Sequence, residues 1–367
     1  MQKTSYFYNM QKGAVLISLV LATVLLVSFV RTGDEETGPD LRKIYSQSPG
    51  KWPAPLVDTR VKWAELGILP ESPLEKHKDS LKHLIELGKA LFFDTRLSES
   101  GQISCATCHK PELNWTDGKE RSVGHEGALA KRNAPTIQNT WFYKRLFWDG
   151  RAKDLQDQAF APINSETEMH SEMPDVLRKL RNVKGYAPLF KAAFGSEQIT
   201  PDNFTQAIAI FEKTIVSRKS RFDEFLGGDK NALTDKELRG LHVFRTTARC
   251  MNCHNGPLFT DNQFHNTGIT FSDGKDKGLY AVTHNDLDIG KFKTPSLRDV
   301  MNTGPWMHDG GIEHMMTIIE LYDKSSPTPA GADNHLGLSG KQKADLLAFL
   351  GAISTRPREF KKPVIPD

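Results

Sequence analysis

Cysteine is nearly absent: the 367 residues hold four, Cys105, Cys108, Cys250 and Cys253, in two identically spaced pairs with no thiol left over. Such scarcity excludes a disulfide framework as the source of stability. Charge of one sign is missing too, since 48 Lys and Arg stand against 45 Asp and Glu for a net charge of +3, and short basic clusters at 178–184 and 356–362 are dispersed among acidic residues. Nucleic-acid binding is thereby disfavoured, and the clusters read as solvated faces. Alternating strand patterns are scarce, and a single long uncharged run occurs. The remaining length suits two ordinary domains and an N-terminal appendage.

The uncharged run covers 13–30, with Lys3 and Lys12 before it and Arg31 and Asp34-Glu35-Glu36 after it. Eighteen residues exceed a signal-peptide core and barely reach a spanning helix, and no small-x-small cleavage pattern precedes Arg31. A buried core helix is the weaker reading, because the run has no polar face. The segment is expected to direct export and to stay as an inner-membrane anchor, with a cleaved signal peptide as the alternative. The positive-inside rule then puts the rest of the chain in the periplasm.

Residues 31–75 are rich in Pro, Gly and charge, which predicts a tether with little regular structure. Folded structure is expected from about Ser80, where Leu81, Leu84, Ile85, Leu91 and Phe92 repeat with helical spacing around a gap at Gly88. Phe204, Ile208, Phe211 and Ile215 predict a second helix. Thr234 and Glu237 form a capping box that opens a helix leading to the second cysteine pair, and Ser339 caps a C-terminal helix carrying Leu346, Leu347 and Leu350. The fold class is mainly α with long loops, and loops of that length suggest that a large apolar cofactor supplies part of the core.

Cys105-Ala-Thr-Cys108-His109 and Cys250-Met-Asn-Cys253-His254 both read C-x-x-C-H. Two thiols at this spacing form thioethers to the vinyl groups of one porphyrin, and the adjacent His reaches the iron. Zinc is the rival, since paired cysteines with a nearby His also hold structural metal. Zinc does not require His directly after the second Cys in both copies, however, and export would expose its thiols to oxidation. A thioredoxin-like redox pair would make the repeated His a coincidence. Two covalently bound haems c are therefore expected.

From here the sequence resembles a known family, the dihaem bacterial cytochrome c peroxidases with the related MauG proteins, over about residues 80–355. The stretches that carry the resemblance are Leu87-Gly-Lys-Ala-Leu-Phe-Phe93, Arg132-Asn-Ala-Pro-Thr136, Phe147-Trp-Asp-Gly-Arg151, Thr294-Pro-Ser-Leu-Arg298 and His308-Asp-Gly310. It implies two cytochrome c-like haem domains: a peroxidatic one at 79–225 and an electron-transfer one at 226–355. These are flanked by the anchor or signal at 1–31, a linker at 32–78 and a tail at 356–367. His109 and His254 are similar to the proximal iron ligands, and His125 to a movable distal ligand of the first iron. Gln158 and Glu168 resemble the distal polar pair, with Pro162 packed beside them, and Trp148 resembles a tryptophan between the two haems. Asn133, Thr303 and Pro305 match positions that bind a calcium ion. One departure is Tyr322, fourteen residues beyond His308, where the peroxidases carry a methionine ligand and MauG-like proteins a tyrosine. Met315 and Met316 lie nearby at the wrong offset. In the other direction, His125 is a feature that MauG lacks, and the surface tryptophan that MauG uses falls at Ala248. The chain is a hybrid of the two patterns.

The resemblance implies reduction of hydrogen peroxide to water, with electrons from a small periplasmic donor such as cytochrome c, and allows a homodimer. Glu168 suits the proton transfer, because a carboxyl in a partly dry pocket holds a raised pKa; Gln158 can orient peroxide but not carry the proton. A tyrosine ligand favours higher iron oxidation states and predicts a low-potential second haem. Plainer roles stand beside these: Trp148 and Tyr322 as core residues, Glu168 as a solvated charge, His125 as a surface-loop residue, and Asn133, Thr303 and Pro305 as turn formers. MauG-like oxidation of a partner protein and a non-enzymatic dihaem electron carrier are the competing functions.

Overall fold

The helical spacing from Leu84 to Phe92 is realised as α1 (Lys82–Phe93) in the computed structural model, which describes residues 40–269, 275–325 and 335–367. The candidate anchor at 13–30 lies outside the described residues. Among the described residues no helix is long and apolar enough to cross a membrane. Seven further helices of nine or more residues follow: α2 (Leu155–Asn164), α3 (Met173–Arg181), α4 (Tyr186–Phe194), α5 (Pro201–Glu212), α6 (Asp235–Arg245), α7 (Met315–Lys324) and α8 (Gly340–Ala352). Strand structure is confined, among the described residues, to Phe264–His265 paired antiparallel with Phe292–Lys293 and to isolated bridges, so the chain is mainly helical as expected.

The caps read from sequence form. Glu237 donates its backbone N–H to the Thr234 hydroxyl at 3.3 Å while its carboxylate accepts from the Thr234 N–H at 2.8 Å, and Ser339 and Gln342 reciprocate in the same way. Ile215 falls beyond the end of α5 rather than on it, yet is buried.

Two helix crossings organise the core. A Cβ on Gly88 of α1 would lie 1.9 Å from the Ala207 carbonyl oxygen of α5, and one on Gly240 of α6 would lie 2.0 Å from that of Asp345 on α8. Each glycine is thus the contact point at which two helix backbones meet, so the apparent gap at Gly88 is the reason for that residue. Around the first crossing a cluster gathers Leu87, Leu91, Phe92, Phe204, Ile208 and Phe211; around the second, another gathers Leu241, Phe244, Phe259, Leu346, Phe349 and Leu350.

Residues 41–78 depart from the tether expectation. They carry little regular structure, but Tyr45, Trp52, Leu66, Leu69 and Leu74 are buried, the first three within the second cluster. Arg245, itself fully buried, is ion-paired to Glu65 and donates to the Pro53 carbonyl at 2.9 Å. Apolar anchoring, rather than periodicity, holds this belt in place.

Candidate functional site

The second C-x-x-C-H motif opens onto a cavity of about 280 Å³. Cys250, Cys253 and His254 line it, with apolar walls from Phe244, Ile319, Leu346 and Leu350. The His254 Nδ1 lies 2.9 Å from the Phe259 carbonyl oxygen. A carbonyl can only accept, so the ring proton sits on Nδ1 and Nε2 keeps its lone pair for a metal. Burial holds the imidazole below its usual pKa, which favours the neutral, ligating form. Burial also pushes the Cys250 thiol up to about 12, so it is not a free thiolate nucleophile. Both cysteines are unbridged. An apolar cavity walled by two unbridged thiols and one oriented imidazole fits a covalently attached porphyrin.

The first motif repeats the arrangement. Residues Cys105–Cys108 form one helical turn, capped by Ser104 and Thr107, and both thiols are free and half-buried. His109 Nδ1 lies 3.0 Å from the Trp115 carbonyl, again leaving Nε2 for a metal, and burial lowers its pKa. Burial likewise raises the thiols of Cys105 and Cys108.

Around the first motif the sequence-expected residues come together in part. Gln158 and Pro162 lie one turn apart on α2. Glu168 follows that helix, and burial raises its carboxyl pKa against the pull of Arg151 and Ser165. Its electrostatic influence extends to both Cys105 and Cys108. The His125 N–H donates to the Glu168 carbonyl at 2.8 Å. The His125 ring, however, stacks on His170 with centroids 4.6 Å apart, and its Nε2 faces the Glu99 carboxylate at 3.5 Å.

Trp148 joins the two quoted motif stretches: its indole N–H donates to the Asn133 carbonyl at 3.0 Å, and its own carbonyl accepts from Lys293 at 2.8 Å. The turn carrying it is fixed by Asp149, which Arg132 grips at 2.6 Å while gripping Asp276 at 2.7 Å. Trp148, Asn133, Thr303 and Pro305 all line the cavity of the second motif, as do Tyr322, Met315 and Ala248. Burial raises the Tyr322 phenol pKa, which keeps the phenol protonated. The Asn133 amide nitrogen is engaged by the Lys119 and Glu120 carbonyls at 2.9 and 3.3 Å, which leaves its Oδ1 as the atom to offer a cation.

Two groups, Glu212 and Lys293, were not singled out from sequence, and a third, His308, was quoted there only as part of its motif. Glu212, at the end of α5, is buried with Oε2 unpartnered, and burial raises its carboxyl to about 8. Lys293 lines the second cavity with Nζ 3.4 Å above the Tyr143 ring, and burial lowers its pKa to about 7. His308 stacks on Phe292 at 3.7 Å, and its buried Nε2 in the same cavity has no protein partner, as expected where a polar group of a bound cofactor arrives. Glu212 looks like an ordinary solvated helix end in sequence, and no local signal marks Lys293.

Comparison with known proteins agrees with this geometry. Residues 82–231 match the family model described as di-haem cytochrome c peroxidase. A methylamine utilization protein MauG of Methylorubrum extorquens is 38% identical over 302 residues, covering 81% of this chain and 86% of the relative. The cytochrome c551 peroxidase of Nitrosomonas europaea is 36% identical over 301 residues, covering 81% and 87%. Among solved structures, a MauG-like protein associated with microbial copper homeostasis superposes with a TM-score of 0.66 at 29% identity, covering 82% of this chain and 93% of the other. With two unbridged C-x-x-C-H motifs, each presenting an oriented His, and with relatives of this length and identity, the chain belongs to the di-haem cytochrome c peroxidase and MauG family, and is an oxidoreductase of peroxidase type with two covalently bound c-type haems.

Proposed function

We propose that the chain reduces hydrogen peroxide to water at the haem held by Cys105, Cys108 and His109. Two electrons and two protons are consumed per peroxide, and two waters are released. The electrons come from a cytochrome c or similar donor through the haem held by Cys250, Cys253 and His254. Each haem, when bound, supplies an iron that exchanges single electrons, and the first also offers a face for peroxide. Glu168 holds and moves the proton between the peroxide oxygens, and Gln158 orients the peroxide by hydrogen bonding. Trp148 would shorten the route between the cofactors, and Tyr322 would help His254 hold the second haem. His125 would serve as a movable ligand of the first haem. Asn133, Thr303 and Pro305 offer oxygens to a calcium ion. We place the enzyme in the periplasm as two haem domains, 79–225 and 226–355, tethered through 13–30.

The observation that carries this reading is the half-buried Glu168, whose carboxyl pKa is raised by desolvation and whose electrostatic influence reaches the first thiol pair. A plain electron carrier has no need of such a group. A second reading, oxidation of a partner protein as the resemblance to MauG implies, is favoured by Tyr322 in the second cavity and weakened by Ala248, which is buried where a surface tryptophan is required. Mixing the holoprotein with peroxide in a stopped-flow spectrometer tests catalysis: a rapid Soret change is expected, and its absence overturns the proposal. Adding reduced cytochrome c then separates the readings, because sustained turnover supports the peroxidase.

A further inference from the structure

We infer that Glu99, His125 and His170 form a binding site for one divalent ion of the zinc class. The Nε2 of His125 lies 3.5 Å and that of His170 3.3 Å from the same Glu99 oxygen, Oε2. All three donor atoms lie within 4.8 Å of one another. A charge-assisted hydrogen bond closes to about 2.7–2.9 Å, so these are not tight ion pairs. A tetrahedral ion with bonds of about 2.0–2.1 Å keeps neighbouring donors roughly 3.3–3.4 Å apart, close to both Glu99–His separations, 3.5 and 3.3 Å. The two imidazoles stack with 8° between their planes, so their lone pairs meet on one ion only after one ring turns, and the unpartnered His125 Nδ1 leaves that ring without a hydrogen bond to hold it. Two imidazoles and one carboxylate select a borderline transition metal over calcium or magnesium. Glu99 and His170 are exposed at 57% and 45%, so water can supply the fourth position.

Backbone contacts preset the cluster. Glu99 donates its N–H to the Met169 carbonyl at 3.0 Å, His125 to that of Glu168 at 2.8 Å, and His170 to that of Ser165 at 2.9 Å. Gly124 lets the His125 loop lie against the Thr167 carbonyl, which a Cβ would meet at 2.1 Å. His170 is held at φ +44°, a strained conformation for a residue with a side chain. The His125 Nδ1 is buried without a partner, so no competing hydrogen bond orients that ring. Three segments of chain thus converge on one point through fixed backbone, at the entrance of the loop that carries His125.

The consequence for activity rests on the reading of His125 as the ligand that covers the first iron. An ion that takes the His125 Nε2 keeps it from the iron, so loading this site leaves the first haem with its open face. The ion binding itself needs no such reading.

The test is equilibrium dialysis of the metal-free oxidised holoprotein against zinc chloride near neutral pH, with metal counted by mass spectrometry. The expected result is one zinc per chain, lost in His170→Asn, which tolerates the same backbone angle, and weakened about tenfold or more in Glu99→Gln. Unchanged haem absorption certifies that both variants are folded. Absence of stoichiometric binding to the parent, or equal binding by parent and variants, overturns the site. Electron paramagnetic resonance gives the second readout: zinc should convert low-spin to high-spin signal at the first haem. Zinc that binds without this change sustains the site and overturns the assignment of His125 as iron ligand.

Discussion

Glu168 and Glu212 are both carboxyls whose pKa is raised by burial, but they do different work. In the proposed peroxidase Glu168 passes the proton, so Glu168→Gln, which keeps shape and hydrogen bonding, should slow the peroxide reaction by about 10²–10⁴-fold in stopped-flow absorbance. A rate within threefold of the parent, on the order of noise for a lost general acid, would remove it from the mechanism. Glu212 instead bears on stability. Its ordinary value of 4.5 becomes about 8 in the fold. Below the ordinary value both folded and unfolded chains hold the proton; between the two values only the folded chain does, so the contribution drains away as pH rises toward 8. Glu212→Gln, which cannot ionise, should therefore match the parent at about pH 5 and melt higher than it at about pH 9. Parallel melting curves for the two proteins across that range would show that Glu212 does not keep its proton. Neither the cluster of Glu99 with His170 nor the burial of Glu212 was legible in the sequence, because both depend on chain segments meeting from a distance. The C-x-x-C-H motifs were legible, since covalent attachment dictates spacing within five consecutive residues.

Helix positions and caps were readable for a related reason: capping boxes at Thr234 and Ser339 and apolar spacing in α1 are local, and each is realised. What periodicity could not convey is why glycine sits inside two long helices. Read alone, Gly88 weakens α1 by about 0.5–1 kcal/mol relative to alanine. In the fold it lets α1 meet α5, and Gly240 does the same for α6 and α8. Gly88→Ala and Gly240→Ala should each cost about 1–3 kcal/mol in denaturant unfolding, because the obstructing atom is a backbone oxygen and not a movable side chain. Gly351→Ala in α8, where nothing lies within 4 Å of the added carbon, is the matched control and should be neutral or stabilising by about 0.4–1 kcal/mol. Equal effects at all three positions would mean that helix propensity, rather than close approach, governs them.

At the scale of the molecule the two ends of the described residues pack crosswise, each on the core farther along the chain from it. The belt 41–78 precedes the first helix crossing but packs on the second core, and it also grips the second haem motif directly: Asp58 accepts from Asn252 at 3.0 Å and from Arg249 at 2.7 Å. The tail does the converse. Phe360 stacks on Phe93 at 5.5 Å and meets Trp115 edge-on at 5.0 Å, while the Pro366 carbonyl accepts from Arg96 at 2.6 Å. Trp115 in turn supplies the carbonyl that orients His109. Composition suggested a loose linker because prolines and charges outnumber apolar anchors there, and burial of a few irregularly spaced side chains leaves no period to read. The crossing makes a directional prediction. Deleting 41–78 should lower the denaturant midpoint followed at the second haem more than at the first, since about 1.5–3 kcal/mol is at stake for each large apolar side chain unburied. Deleting 356–367 should reverse that order, loosening Trp115 and with it the haem on His109. Absorption and electron paramagnetic resonance distinguish the two irons, so both orders are measurable on one sample. If the two deletions lowered both haem midpoints equally, the termini would not act on separate halves and the crossed arrangement would carry no selective stability.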